Sequence, residues 1–219
     1  MTVIKEFLFT TGLYNYFREK YPEIYPIYKP FVWVFKSGNE EKGLEQLERA
    51  TRETILSRVE AAIYLSYIYL RYEDTPKKAQ KLLTSLKVQY PANFYLLAKY
   101  FESIRMYPHY QKIKTEDCQK LMTTDRFYYQ VVGHVFEGLR LEKVVKNNTK
   151  AFEHYSAAVD KVELLHGNGG IYLSLAYLGM ARIVKDKNPN SSKVFLENCL
   201  RYAETKDVKQ EARQLLKSF

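Results

Sequence analysis

The sequence predicts an all-α protein: an α-solenoid, wound as a right-handed superhelix, of about five helix pairs between an N-terminal helix and a C-terminal capping helix. Three observations predict it. The 219 residues include 20 Tyr and 12 Phe but only 9 Gly and 7 Pro. Many large side chains and few breakers favour long packed helices. A short pattern of Lys, a small or slim residue and a large apolar residue three or four positions later returns along the chain, as in Lys42-Gly43 with Leu47 and Lys78-Ala79 with Leu82. Between these copies lies a second pattern, a large apolar residue followed by a small one, as in Leu65-Ser66 and Leu97-Ala98. An alternation of two helix types follows, each pair burying its apolar face against its neighbours.

Taken in order, the first element is a helix from Val3 to Lys20; Met1 to Thr11 lacks a small-residue cleavage pattern and does not read as a signal peptide. A leader preceding Met1 would leave the compartment open between cytoplasm and periplasm. Pro26 and Pro30 fall where the first pair's leading helix belongs, so that helix starts near Pro30 or is irregular. The trailing helices open at Lys42-Gly43, Lys78-Ala79, Lys150-Ala151 and Lys193-Val194. Ala151 lies twice as far beyond Ala79 as Ala79 lies beyond Gly43, which places a hidden unit around Asp117 to Leu121. Leu65-Ser66 with Tyr69, Leu97-Ala98 with Phe101, Val132-Gly133 with Phe136 and Leu175-Ala176 with Gly179 mark the leading helices, whose small residue admits a close neighbour. Tyr107 to Thr115 and Leu141 to Thr149 are stretched connections. Asn148 or Thr149 caps the helix at Lys150, and Ser191 or Ser192 the one at Lys193. A closing helix from Val208 to Ser218 sets Ala212, Leu215, Leu216 and Phe219 against Lys209, Arg213 and Lys217. No Gly-, Ser- or Pro-rich linker divides the chain, so 1–219 reads as one domain, with the N-terminal helix over 1–23, repeats over 24–203 and the cap over 204–219.

Several functions are disfavoured. No stretch approaches the roughly 18 apolar residues of a membrane span. Cys118 and Cys199 are far apart and outside any CxxC spacing, and read as buried thiols. His109, His134, His154 and His166 lack metal-ligand spacing, and no nucleotide loop or nucleophile elbow occurs. Gly167-Asn168-Gly169-Gly170 reads as an interhelical loop. The chain therefore reads as a non-enzyme without cofactor, metal or catalytic residues. Its net charge of +9 invites a basic helical-repeat module for nucleic acid, but Lys and Arg are interleaved with Glu and Asp, as in Glu40-Glu41-Lys42 and Lys209-Gln210-Glu211. That pattern belongs to solvated helix faces and disfavours nucleic acid as partner.

Glu60 to Pro91 carries Leu65, Ser66, Tyr69, Ala79, Leu83, Leu86 and Pro91 in the order of a tetratricopeptide repeat, and the chain resembles that family over most of Ile24 to Ala203. Gly12-Leu13-Tyr14-Asn15-Tyr16, followed by Tyr21-Pro22-Glu23, is similar to the opening of uncharacterised bacterial tetratricopeptide-like proteins. The resemblance implies a scaffold that binds a protein or peptide in a concave groove lined by the leading helices. Carried over residue by residue, its inward positions are Ile63, Tyr67, Leu70 and Arg71; then Tyr95, Lys99, Glu102 and Ser103; then Gln130, His134 and Glu137; then Leu173, Tyr177 and Met180. Ile63 and Tyr67 stand where family members that grip a terminal carboxylate carry Lys and Asn, so the groove implied here suits an extended or helical segment. For any single one of these tyrosines a place in the core is the stronger expectation, and a homo-oligomer stays among the partners.

Overall fold

The computed structural model describes residues 2–161 and 169–219, and among them every regular element is helical. The order is α1 (Thr2–Ile24), a 3-10 turn (Pro26–Tyr28), α2 (Lys29–Val32), α3 (Glu40–Glu53), α4 (Arg58–Arg71), α5 (Pro76–Gln89) and α6 (Phe94–Met106). There follow a 3-10 turn (Tyr110–Lys112), α7 (Thr115–Met122), α8 (Phe127–Arg140), a π turn (Leu141–Val145), α9 (Asn148–Val159), α10 (Gly170–Val184), α11 (Pro189–Tyr202) and α12 (Lys206–Leu216). The chain divides into two compact units, Met1–Tyr107 and Pro108–Phe219. In the first, α1 packs on α3, α3 on α4, α4 on α5 and α5 on α6. In the second, α7 packs on α8, and each helix from α8 to α12 packs on the next in sequence. Sequential neighbour packing of this kind is that of an all-α helical repeat.

Three expectations are revised. The first helix extends to Ile24 and carries Pro22 in its last turn, and α1 itself supplies the partner of α3. Pro26 and Pro30 fall in the 3-10 turn and at the start of α2, where a fixed φ and a missing N–H are tolerated. The caps also lie earlier than expected: Asn147 accepts from Lys150 N at 3.0 Å and Asn188 from Ser191 N at 3.1 Å. In α11 Pro189 follows its cap directly, so the helix starts ahead of the serines. Asn39 and Asn93 cap α3 and α6 in the same way.

In the first unit, α1 and α3 cross backbone to backbone. A Cβ on Gly43 would lie 2.5 Å from Tyr16 N, and one on Gly12 would meet Leu47 at 2.9 Å. Tyr16 is fully buried there and donates to Glu73 at 2.5 Å, while Tyr69 of α4 donates to Glu48 of α3. Glu6 of α1 accepts from Ile55 N at 2.7 Å and from Ser57 N at 3.2 Å, at the start of α4. Those backbone donors lower the Glu6 carboxyl below its usual range.

In the second unit the organising side chain is Tyr155 of α9. Its ring lies where a Cβ on Gly138 of α8 or Gly179 of α10 would stand, at 2.6 and 2.3 Å. Its hydroxyl donates to Glu142 at 2.7 Å, which the π turn carries inward. Arg182 of α10 grips both Glu142 oxygens, at 2.7 and 2.8 Å, and reaches Glu211 of α12 at 2.9 Å. Burial opposes the Glu142 charge, but Arg182 and Lys143 outweigh it and hold the carboxyl down at about 2. Cys118 and Cys199 are buried thiols without a disulfide, and burial pushes Cys199 up to about 12.

Two outcomes follow. Gly179→Ala forces a methyl into a ring already confined by Gly138, and should destabilise the protein by about 1–3 kcal/mol in urea unfolding. Arg182→Met removes the two-pronged grip on the buried Glu142 charge, leaving only Lys143 and the Tyr155 hydroxyl, and should cost about 3 kcal/mol. Adding Glu142→Gln should recover part of that loss, which a double-mutant cycle measures.

Candidate functional site

Within the first unit, the structure brings Ile63, Tyr67, Leu70 and Arg71 of α4 together with Tyr95, Lys99 and Glu102 of α6. All line one shallow depression, about 20 Å3, which has room for little more than a water molecule. Glu102 is buried at its base, held by Arg71 at 2.6 Å and by Lys99 at 2.8 Å, one turn earlier on its own helix. Tyr67 and Tyr95 are exposed above it, and Leu70 is buried beneath. Lys99 lies 5.8 Å from the Tyr95 ring centre, and the Tyr67 hydroxyl lies 3.3 Å from that of Tyr72. The α6 position Ser103 is buried and donates to the Tyr100 carbonyl, so it contributes nothing to this surface.

In the second unit the expected groove positions have other work. Leu173, Tyr177 and Met180 of α10 are buried, with Tyr177 stacked on Tyr202 at 5.9 Å between ring centres. Helix α10 is apolar on all sides and is enclosed by α8, α9, α11 and α12, so it presents no open face. Glu137 is buried and taken up by Arg140, at 2.6 and 3.0 Å. Gln130 donates to the Thr124 carbonyl at 2.6 Å. His134 and His154 face each other with their Nδ1 atoms 3.2 Å apart. Burial, then His154 and Lys161, lower His134 to about 4; burial also lowers His154. His166, Gly167 and Asn168 lie outside the described residues.

A second feature of the first unit does not follow from the repeat pattern of the sequence. Between α1 and the 25–35 segment lies an open cleft of about 580 Å3, lined by Tyr14, Phe17, Tyr21, Tyr25, Tyr28, Phe31, Val32 and Phe35, with Arg18 in its wall. Four rings run along it in contact, Phe17 to Tyr21 at 4.8 Å, Tyr21 to Tyr25 at 6.1 Å and Tyr25 to Tyr28 at 6.3 Å. Phe17 also meets Tyr72 at 5.7 Å, and Tyr72 meets Tyr67 at 5.5 Å, so the cleft and the α4–α6 groove share one aromatic ladder. Beyond the cleft, Ile27, Trp33 and Val34 are 75%, 78% and 68% exposed. The segment is fixed rather than loose. Arg18 donates to the Val32 carbonyl at 2.6 Å and Tyr14 to that of Lys36 at 2.5 Å, while Glu19 accepts from Gly38 N at 2.8 Å. Gly38 is needed at that close approach, because a Cβ would lie 2.5 Å from the Asn15 carbonyl. The signal was present in the sequence: Tyr25, Tyr28, Phe31, Trp33 and Phe35 crowd a proline-broken run without an acidic residue, and a loop on the surface has little core to hide them in.

Among the described residues no cluster of three His, Cys, Asp or Glu could hold a metal ion, and no helix is long and apolar enough to cross a membrane. Compared with known proteins, the chain matches no family model, no curated protein and no solved structure.

The histidine pair sets a pH dependence. Both rings are neutral above the ordinary histidine value of about 6.5, where their packing contributes in full. As pH falls from about 6.5 through 4, the unfolded chain takes up protons that folded His134 resists, and stability is lost. The melting temperature should therefore fall between pH 7 and pH 5, a range above the window in which Glu142 is protonated. His134→Gln should flatten that fall in scanning calorimetry; an unchanged slope would show that the pair does not titrate on unfolding.

Proposed function

We propose that the protein is a tetratricopeptide-like interaction scaffold whose first unit lays a segment of a partner protein along α4 and α6. The observation that carries this reading is the convergence of seven inward positions on one face, with two exposed tyrosines over a buried Glu102 gripped by Arg71 and Lys99. Tyr and Arg are the residues that most often anchor interfaces, because they offer large contact area and a fixed polar end. The depression is too small to enclose a metabolite, whereas a peptide backbone or helix face needs only a shaped surface. Sequential helix packing and the small residues at the helix crossings agree with the family resemblance.

A second reading, a basic surface for nucleic acid, draws on one feature. Lys206, Lys209, Arg213 and Lys217 gather on one side of α12 around a concavity of about 460 Å3. Binding there would weaken steeply with salt, and the groove reading predicts a much shallower dependence.

The two are separated by capture from a native lysate treated with nuclease and washed at low and high salt. A partner held through the groove should survive both treatments. Its affinity should fall about thirtyfold with Tyr67→Ala, the effect of a strong interface anchor, while helicity and melting temperature stay unchanged. Tyr177→Ala should instead lower the melting temperature, since that ring is packed inside the second unit. Capture that disappears with nuclease, or is indifferent to Tyr67→Ala, would reject the groove.

A further inference from the structure

We infer that the exposed apolar segment of the first unit docks on the surface of an anionic lipid bilayer. The inference is independent of the α4–α6 groove. Apolar exposure here exceeds what the cleft needs: Ile27, Trp33 and Val34 are the most open large apolar side chains of the segment, and none lines the cleft. A peptide seated in the cleft would leave all three in water. A planar apolar phase would cover them together with the rims of Phe31 and Phe35.

Charge points the same way. From Ile24 to Asn39 the chain carries Lys29 and Lys36 and no acidic residue. Among the described residues neither ammonium lies within ion-pair reach of a carboxylate, so both are available to headgroups. Of the acids flanking the segment, Glu23 and Glu40 are engaged with Lys20, and Glu19 of α1 with Gly38 N and Arg18. The chain as a whole bears a charge of +9, which an anionic surface attracts at long range. Trp and Tyr among aliphatic side chains, with flanking Lys, is the composition that settles at the boundary between headgroup and acyl chain. Apolar insertion and basic attraction are each weak alone; peripheral attachment takes both. The segment can insert without exposing loose backbone, because its carbonyls at Val32 and Lys36 are already satisfied by Arg18 and Tyr14 of α1.

Trp33 is the only tryptophan in the chain, so its fluorescence reports on this segment alone. The full chain is mixed with vesicles of phosphatidylglycerol and phosphatidylcholine, and separately with vesicles of phosphatidylcholine. Flotation and Trp33 emission are recorded for each. The expected result is co-flotation and a blue shift with the anionic vesicles, weakened at least about tenfold for phosphatidylcholine and for the Lys29→Glu/Lys36→Glu pair. Ile27→Ser/Val34→Ser should weaken flotation about tenfold as well, although it leaves the cleft lining intact; circular dichroism verifies the fold of each variant. Absence of flotation with the wild-type chain, or equal flotation on both vesicle types, overturns the inference. So does a Trp33 emission that is already blue-shifted without lipid in a sedimenting dimer, which would assign the segment to a second copy. Wild-type flotation matched by Ile27→Ser/Val34→Ser would likewise overturn it.

Discussion

At the α1–α3 crossing and around Tyr155, helices come close only because a side chain is missing on one of them. Gly43 and Gly12 let α1 and α3 touch through their backbones, and Gly138 and Gly179 flank the Tyr155 ring on both sides. Interiors are close-packed, so such positions fix which helix faces meet as firmly as hydrophobic area does. The use of tyrosine adds a second demand. A buried ring brings its hydroxyl inside, and that hydroxyl needs an acceptor. Tyr16 finds Glu73, Tyr69 finds Glu48 and Tyr155 finds Glu142, each on another element. Three of the 20 tyrosines are accounted for in this way: their rings fill the space between helices and their tips choose the neighbour.

The candidate surfaces follow from this arrangement. Because the Gly12 side of α1 is spent on α3, α1 can hold the 25–35 segment through Tyr14, Arg18 and Glu19. A proline-broken segment cannot form a helix long enough to bury an apolar face of its own. It is laid over α1 instead, with rings against rings on one side and Ile27, Trp33 and Val34 left open on the other. The exposure is thus built on a rigid base, and a surface held in that way meets its partner with little ordering left to do.

Helix identity and the small residues Gly43 and Gly133 were legible in the sequence because both belong to a period, whereas Gly12 and Gly138 lie outside it. Which faces stay open was not legible, because a period tells which residues share a face and not what covers it. Glu102 and Glu137 occupy corresponding positions. Glu102 joins α4 to α6 through Arg71, whereas Glu137 is taken up by Arg140 on its own helix. Tyr67 and Tyr177 also correspond, yet one lies in a shallow groove and the other inside the second unit. The difference lies in the surroundings: α10 carries apolar residues all round and is enclosed, so positions transferred onto it become core. The segment at 25–35 escaped for the opposite reason. Its apolar residues have no period, so no repeat unit contains them.

The aromatic ladder from Tyr67 through Tyr72 and Phe17 to Tyr28 joins the two surfaces of the first unit, and it constrains how they can act together. From Tyr25 through Tyr21, Phe17 and Tyr72 to Tyr67 each ring touches the next, so an unbroken run of contacts joins the cleft to the groove. Phe17 is the junction, touching Tyr16, Tyr21 and Tyr72 at once. Tyr16 is fixed by Glu73 and by the α1–α3 crossing, which anchors the ladder from behind. An arrangement anchored at its middle holds both ends at a set spacing and direction. On the proposed reading, the groove of a protein lying on a bilayer would then keep one orientation to that surface, and a partner reaching α4 and α6 would be selected by where it approaches from as well as by what it carries.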